Sequence, residues 1–228
     1  MNKKIVLWGA TGQAKVLWEL FEHTHDQIIA IFENNQEIIQ LSFQKKVAIY
    51  YGKKGFLEWK SLVHPGENQI YGLAAIGGSR GQDRVELQKF MQAHNVLPIT
   101  AIHPTAFVAS DVQVGDFCQI LAHATVCAEV VLGSACIINS AALVEHECIV
   151  NTGVHIGPGA RLAGLVEIGE YSFIGTGATI LPRIKIGKNV IVGAGAVVKK
   201  NIEDNMTVVG NPARLLPLKQ VEFQRSQE

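Results

Sequence analysis

The sequence has little of several features that would mark a protein class directly. Its 228 residues carry no net charge, because 20 Lys and Arg balance 20 Asp and Glu. A surface that binds nucleic acid or an anionic membrane through bulk charge is therefore not expected, although local loops could still hold a small polyanion. No apolar run reaches the length of a membrane span, and the run that begins at Ile5 is too short for a signal peptide. We expect a cytoplasmic protein with no membrane insertion and no nucleic-acid partner.

Cysteine is also scarce, and its spacing excludes common metal sites. The four cysteines form neither a CxxC pair nor a His/Cys cluster at zinc spacing, so we predict no metal. Cys118, Cys136 and Cys148 share one phase of the repeat described next, which predicts packed core thiols. Cys127 lies out of that phase and receives no role.

A repeat of six residues dominates the chain from position 102 to position 198. An aliphatic residue occupies every sixth position without interruption, a smaller residue often follows four positions later, and Gly often follows one position later. A period of six fits neither a helix nor a plain strand, and it is typical of a parallel β-helix. We predict a left-handed β-helix of five to six triangular coils, in which Gly allows turns that a Cβ would obstruct. The aliphatic positions are Ile102, Val108, Val114, Ile120, Val126, Leu132, Ile138, Val144, Val150, Ile156, Leu162, Ile168, Ile174, Ile180, Ile186, Val192 and Val198.

The first hundred residues predict a small parallel α/β domain. Short apolar runs near positions 5–8, 28–32, 47–50 and 70–76 alternate with helical patterns near 16–21, 56–62 and 83–95. We therefore predict an α/β plus β-solenoid protein, with a Rossmann-like domain at residues 1–98. The β-helix and a short, helical or frayed C-terminal tail occupy residues 99–228.

Two glycine loops and one polar turn are expected along the carboxyl edge of this sheet, where ligands bind in such folds. The first loop contains Gly9, Thr11, Gly12 and Gln13, and it precedes a helix whose N-terminus could hold a phosphate. Its GxxG spacing is not that of a dinucleotide-binding loop, so NAD is not predicted, and a purely structural turn is an equal alternative.

The polar turn and the second loop leave the same choice open. Glu33 and Asn34 follow the second strand, where they could meet a ribose or base, or could simply cap the strand. Gly77 begins the second glycine loop.

His146 is the candidate catalytic residue of the β-helix. It lies between Glu145 and Glu147 in a predicted turn, and a neighbouring carboxylate can fix the tautomer of an imidazole that acts as a general base. A solvated turn histidine is the plain alternative. A zinc site is not expected, because no second histidine follows at the spacing of β-helix zinc enzymes.

Several motifs together resemble the bacterial nucleotide-sugar N-acetyltransferases. The resemblance covers nearly the whole chain and includes relatives of the UDP-4-amino-sugar and GDP-perosamine N-acetyltransferases and of the sialic acid O-acetyltransferases. It rests on the stretches at residues 9–15, 75–77, 101–104, 138–140, 144–148, 155–158 and 210–214.

The resemblance implies a homotrimer in which acetyl-CoA lies between neighbouring β-helices and the N-terminal domain holds the nucleotide sugar. His146 matches the general base, Glu147 the residue that orients it, and Asn139 a residue near the same pocket. The positions that match the lining of the acetyl-CoA cleft are His155, Gly164, Thr176 and Ala194.

The sequence departs from the family pattern on the nucleotide-sugar side. Relatives commonly carry His at Gln13 and two Asp where Glu33 and Asn34 stand, and the second loop takes a longer path to Arg84. We therefore predict acetyl-CoA-dependent N-acetylation of a nucleotide-linked amino-deoxy sugar for surface glycan synthesis, most simply a UDP-linked 4-amino-4,6-dideoxy sugar. The alternatives are O-acetylation, a GDP- or dTDP-linked acceptor, and a β-helix scaffold that binds nucleotide sugars without turnover.

Overall fold

The computed structural model describes residues 2–38, 47–63 and 69–216, so the predicted tail beyond position 216 lies outside the described residues. Within these ranges, no helix is long and apolar enough to cross a membrane. The α/β elements are β1 (Lys4–Trp8), α1 (Gly12–Thr24), β2 (Gln27–Glu33), β3 (Ile49–Tyr51), α2 (Gly52–Leu62), β4 (Ile70–Ala74), α3 (Gly81–Ala93) and β5 (Leu97–Pro98).

The first five strands form the predicted parallel sheet, in the order β3-β2-β1-β4-β5. Alternate residues of β1 enter different cores, because successive side chains of a strand point to opposite faces. Ile5 and Leu7 pack with α1, whereas Val6 and Trp8 join an aromatic cluster around Phe56 between α2 and α3. Both faces of the sheet are therefore covered.

The element boundaries differ from the sequence predictions at a few glycines. Helix α2 begins at Gly52 rather than near Phe56, because Gly52 adopts a positive φ of 62° directly after β3. Helix α3 begins at Gly81, earlier than predicted, and the short strand β5 was not predicted.

The repeat folds into the predicted β-helix, which is built from two-residue strands. Each strand pairs in parallel with the strand 18 residues later, so three hexapeptides complete one coil. The strands are β6 (Ala101–Ile102), β7 (Phe107–Val108), β8 (Gln113–Val114), β9 (Gln119–Ile120), β10 (Thr125–Val126), β11 (Val131–Leu132), β12 (Ile137–Ile138), β13 (Leu143–Val144), β14 (Ile149–Val150), β15 (His155–Ile156), β16 (Arg161–Leu162), β17 (Glu167–Ile168), β18 (Phe173–Ile174), β19 (Thr179–Ile180), β20 (Lys185–Ile186), β21 (Ile191–Val192), β22 (Val197–Val198), β23 (Thr207–Val209) and β24 (Arg214–Leu215).

The strands form three faces joined by three corners. The first face is the sheet that contains β9, β12, β15 and β18, the second contains β10, β13, β16 and β19, and the third contains β11, β14 and β17. The first corner joins the first and second faces and includes residues 139–142, 157–160, 175–178 and 193–196. The second corner joins the second and third faces and includes residues 145–148 and 163–166. The third corner leads back to the first face and includes residues 115–118, 133–136 and 151–154.

The aliphatic sixfold positions and the smaller residues fill the interior as predicted. The predicted inward thiols of Cys118, Cys136 and Cys148 are fully buried in the same core. Glycines after the strands allow the coils to stack closely, since a Cβ on Gly133 would lie 2.6 Å from the backbone nitrogen of Thr152 in the next coil. The residue with left-handed φ in these turns lies two positions after the glycine position, and it is often not a glycine, as at Ala135.

The α/β layer packs on the first face of the β-helix and shares a core with it. Leu7 and Leu17 from the α/β elements belong to the same buried cluster as Phe117, Leu121 and Ile137 from the coils. The two parts therefore bury apolar surface against each other. The proposed division at residue 98 remains a prediction.

Arg84 joins α3 to the third corner of the β-helix. Its side chain is fully buried, and its guanidinium donates hydrogen bonds to the carbonyl oxygens of Ala135 (2.8 Å), Gly153 (2.7 Å) and Ile76 (2.8 Å). Burial lowers the pKa of Arg84 to about 10, which leaves it charged at neutral pH. Arg84, which the family resemblance placed on the nucleotide-sugar side, thus holds the α/β layer and the β-helix together.

We expect Arg84→Lys to lower the free energy of unfolding by about 2–4 kcal/mol, because an ammonium cannot span three carbonyl oxygens and leaves buried acceptors unpaired. Denaturant titration measures the change. Arg80→Lys, at a half-exposed arginine paired with Asp83 at the start of the same helix, is the matched control and should change little. Equal stability of both variants would contradict this role for Arg84.

Candidate functional site

The first glycine loop closes tightly against the second. A Cβ on Gly9 would collide with the carbonyl oxygen of Ala75, and Gly9 has a positive φ of 119°, so another residue type would strain this approach. Helix α1 begins at Gly12, and Thr11 makes no side-chain capping bond. In the described part of the chain, the backbone N–H groups of Gly12 and Gln13 have no acceptor. They are therefore available to an anionic group at this helix N-terminus.

Glu33 braces the first loop. Its Oε2 accepts the N–H of Ala10 at 2.8 Å, and its Oε1 accepts the N–H groups of Asn34 at 2.7 Å and Asn35 at 3.0 Å. The Oδ1 of Asn34 accepts the indole N–H of Trp8 at 3.2 Å. These contacts match the alternative in which Glu33 and Asn34 cap the end of β2. Contact of either residue with a ribose or base remains a prediction.

Gln13, the last residue of the first glycine loop, faces the second loop and contacts the β-helix. Its Nε2 donates to Oε1 of Gln119 on β9 at 2.7 Å, and Nε2 of Gln119 donates to the carbonyl oxygen of Ala74 at 2.8 Å. The second glycine loop begins at Gly77, shortly after Ala74. A Cβ on Gly77 would lie 3.5 Å from Oε1 of Gln13 and 3.6 Å from Cε1 of His155. Gln13, Gly77 and His155 therefore surround one small space.

His155 and Asn139 form a second polar chain from the α/β layer to the β-helix. Nδ1 of His155 lies 3.2 Å from the carbonyl oxygen of Gly78, and its Nε2 lies 3.0 Å from Nδ2 of Asn139. A carbonyl can only accept, so Nδ1 carries the proton and Nε2 accepts from Asn139. Burial, followed by the nearby charge of Arg84, lowers the pKa of His155 to about 3. The ring is neutral at physiological pH, and both of its nitrogens have protein partners.

His146 lies in the second corner with its ring half exposed. Its Nδ1 lies 2.9 Å from Oε2 of Glu147, which adopts a left-handed φ of 58° in the turn. Gly164 stands one coil later in the same corner, and a Cβ there would lie 2.5 Å from Cε1 and Nε2 of His146. The imidazole therefore rests against bare backbone, and its Nε2 has no hydrogen-bond partner among residues 2–38, 47–63 and 69–216.

The predicted cofactor residues fall on two separate edges of the prism. Thr176 and Ala194 lie exposed, one coil apart, in the first corner, and His155 lies beside that corner on the first face. Gly164 lies with His146 in the second corner, which is the edge opposite the first face. One chain therefore brings Asn139, His155 and the glycine loops together, but it does not bring His146 to them.

Solved structures similar to this chain share both parts of the fold. The acetyltransferase domain of PglB from Neisseria gonorrhoeae FA1090 is 32% identical, with a TM-score of 0.81, and the match covers 94% of this chain and 100% of that one. This chain belongs to the bacterial sugar N-acetyltransferases.

Two further comparisons agree with this membership. A mutant of perosamine N-acetyltransferase from Caulobacter crescentus, in complex with CoA and GDP-perosamine, is 29% identical with a TM-score of 0.83 and covers 94% of this chain and 97% of that one. The family described as bacterial transferase hexapeptide (six repeats) matches residues 166–200. No curated protein matches the sequence. The sugar N-acetyltransferase fold is thus an α/β layer on a left-handed β-helix, and the chain is an acyltransferase.

Two residues that organise the site of this sugar N-acetyltransferase were not identified from the sequence. Gln119 occupies an outward position of the repeat, where polar residues are ordinary, yet it is fully buried under the α/β layer. Gly78 contributes only a carbonyl oxygen, which no side-chain pattern reveals. The sequence offers only a glutamine next to the aliphatic position Ile120, and its burial becomes evident in the structure. Among the described residues, no group of three or more His, Cys, Asp or Glu is placed to hold a metal ion.

The low pKa of His155 predicts a loss of stability of this N-acetyltransferase in acid. In the unfolded chain His155 binds a proton near pH 6.5, whereas in the folded chain it does so only near pH 3. The free energy of unfolding therefore falls as the pH falls from 6.5 towards 3. We expect the free energy of unfolding to fall by about 1.4 kcal/mol per pH unit from this residue. Denaturant titrations at pH 7 and pH 4.5 measure it. In His155→Gln the fall should be shallower, and identical pH slopes in the two proteins would refute the assignment.

Proposed function

We propose that the chain transfers the acetyl group of acetyl-CoA to the amino group of a nucleotide-linked amino-deoxy sugar, with His146 as the general base. The observation that carries the proposal is the His146–Glu147 pair. The half-exposed imidazole is held through Nδ1 by the carboxylate 2.9 Å away, while Nε2 is left open. A neutral histidine that donates from Nδ1 presents a basic nitrogen at Nε2, which is the arrangement a general base requires.

The chemistry asks little of the protein beyond position and proton removal. Acetyl-CoA supplies the acetyl group as a thioester, from which coenzyme A leaves as the thiol or thiolate. A sugar amine attacks only in its neutral form, and ordinary amines are largely protonated in water. Nε2 of His146 takes the proton that the amine loses on forming the amide, and Glu147 stabilises the resulting imidazolium.

The first corner fits an extended ligand such as acetyl-CoA. Thr176 and Ala194 are exposed and lie one coil apart, and a Cβ on the neighbouring Gly177 or Gly195 would meet nothing within 4 Å. Bare backbone along this edge can approach a ligand closely. The acetyltransferase domain of PglB has been solved with acetyl coenzyme A. His155 would act as a buried support of this cleft, because both ring nitrogens are engaged.

The α/β loops fit the nucleotide sugar. The open N–H groups of Gly12 and Gln13 lie at a helix N-terminus, which favours a diphosphate. We take a UDP-linked 4-amino-4,6-dideoxy sugar as the first candidate acceptor. A GDP-linked 4-amino sugar is the second, because the similar Caulobacter crescentus enzyme was solved with GDP-perosamine.

The proposed active site requires more than one chain. His146 and Gly164 occupy the second corner, whereas the glycine loops and Thr176 meet at the first face and first corner. A homotrimer that sets the second corner of one β-helix against the first corner of the next would unite them. Outward apolar side chains support such contacts: Ile149 beside the second corner is 42% exposed, and Phe107 on the second face is 59% exposed.

Removal of the base should abolish most acetyl transfer. We expect His146→Ala to lower kcat on an amino-sugar acceptor by about 10²- to 10⁴-fold, and Glu147→Gln to lower it by about tenfold. Thiol release from acetyl-CoA is measured with UDP-, GDP- and dTDP-linked 4-amino sugars.

The exposed His25 at the end of α1 provides the control, since His25→Asn should leave kcat unchanged. Turnover on hydroxyl acceptors alone would replace N-acetylation by O-acetylation. Nucleotide-sugar binding with no turnover on any acceptor would favour a scaffold.

A mixing experiment tests the shared site. Gly12→Glu adds a carboxylate where the fold has open space, so the variant should fold and yet repel an anionic nucleotide. Alone, this variant and His146→Ala should both be nearly inactive. In trimers of both chains mixed at random, about one quarter of the sites regain two intact halves. Absence of recovered activity in mixed trimers would place the whole site within one chain.

A further inference from the structure

A buried amide controls which atom of Gln13 faces the cleft between the two glycine loops. Gln119 is 0% exposed, and its Nε2 donates to the carbonyl oxygen of Ala74 at 2.8 Å. A carbonyl oxygen cannot donate, so this contact fixes the orientation of the Gln119 amide. The reversed amide would set two oxygens against each other in a site without water access. Oε1 of Gln119 must therefore face Gln13.

The same argument then applies to Gln13. Its neighbour presents an oxygen 2.7 Å away, so Gln13 must donate from Nε2. Its Oε1 is left as the outward end of the amide. Within the described ranges, no protein group donates to this oxygen. The backbone carbonyl of Ala74 thus determines, through the amides of Gln119 and Gln13, that an oxygen rather than an NH₂ group faces the cleft.

The space that faces this oxygen is bounded on the other side by groups that cannot bind it. The empty Cβ position of Gly77 lies 3.5 Å from Oε1 of Gln13 and 3.6 Å from Cε1 of His155. The two nitrogens of His155 are already used by Gly78 and Asn139. The partner of Oε1 must therefore come from a ligand or from solvent.

We propose that Gln119 is a positioning residue that locks Gln13 as a fixed hydrogen-bond acceptor, which selects acceptor sugars that place a hydroxyl or amine donor between the two glycine loops. The inference rests on the proposed function, because it concerns the sugar of the same nucleotide-sugar site. A phosphate oxygen would be repelled at Oε1 of Gln13. The diphosphate therefore belongs at the open N–H groups of Gly12 and Gln13, and the sugar belongs at the Gln13 side chain.

Replacement of Gln119 tests the positioning role. Gln119→Met keeps the length of the side chain but removes both hydrogen bonds, so the Gln13 amide can rotate. We expect the Kd and KM for the acceptor nucleotide sugar to rise by about five- to tenfold, with kcat and the KM for acetyl-CoA changed by less than about twofold. Binding is measured by calorimetry with UDP-linked 4-amino-4,6-dideoxy sugar and with GDP-perosamine.

Gln88 on α3 provides a matched control. It is 2% exposed, and neither its Nε2 nor its Oε1 has a hydrogen-bond partner among the described residues. Gln88→Met therefore makes the same change in a buried amide without removing a hydrogen bond, and acceptor binding should equal that of the wild type. An equal rise in Kd in both variants would show a general effect of the interface and overturn the inference.

A double-mutant cycle separates direct coupling from a structural effect. Gln13→Met removes the acceptor oxygen and should weaken acceptor binding by about five- to tenfold. In the Gln119→Met background the amide of Gln13 is no longer locked as an acceptor, so the same substitution should cost much less. If the fold-changes in Kd of the two single variants simply multiply in the double variant, Gln13 and Gln119 are not coupled.

Monodeoxy analogues of the acceptor identify the donor. One analogue should bind the wild type and Gln119→Met equally, because it lacks the group that Gln13 accepts. Calorimetry reads binding whether or not transfer occurs, so a protein that binds but does not acetylate would disprove the proposed function and still test this inference. Unchanged acceptor binding in a folded Gln119→Met protein would overturn it.

Discussion

The backbone ladder that joins each residue of the β-helix to the residue 18 positions later governs the rest of the structure. It stacks residues of equal phase into columns, so the environment of a side chain is set mainly by its column neighbours one coil away. Gly164 lies against His146 for this reason, and Thr176 and Ala194 share one edge. The side chains that meet at one corner therefore come from successive coils rather than from neighbouring positions in the sequence.

The α/β layer uses polar contacts to fix its place on this prism. Arg84, Gln119 and His155 are all buried at the contact, and each donates to at least one backbone carbonyl oxygen of the facing part. Buried polar groups cost free energy unless they are paired, but paired groups tolerate little displacement. The apolar cluster that contains Leu17 and Ile137 provides the attraction, and the polar contacts define the geometry. The glycine loops are consequently held at a defined height on the first face.

The sequence predicted the parts of the structure that depend on local pattern. The sixfold period gave the β-helix, and the alternation of strands and helices gave the parallel sheet, because both patterns report burial within a short window. The contacts that organise the site were not predictable in this way. Gln13 and Gln119 are 106 residues apart, and Arg84 and Gly153 are 69 apart. Glu33 was recognised as a candidate, but its engagement with the N–H of Ala10 depends on how two loops meet. The phase of the repeat places His146 on the edge opposite the first face, and the proposed trimer is what would bring that edge to the glycine loops.

The coil of 18 residues also restricts how the length of this region can change during evolution. An insertion of one complete coil keeps every later side chain on its own face. An insertion of one or two hexapeptides would keep inward residues inward but would move every later strand to another face, and most other lengths would also turn inward residues outward. A complete coil added beyond Ala194 would lengthen the prism without disturbing the contacts of Gln119, His155 or Arg84. The same coil added between His146 and Gly164 would separate the imidazole from the backbone it rests on. Length variation in such proteins should therefore come in whole coils near the free end, or as loops that leave at a corner.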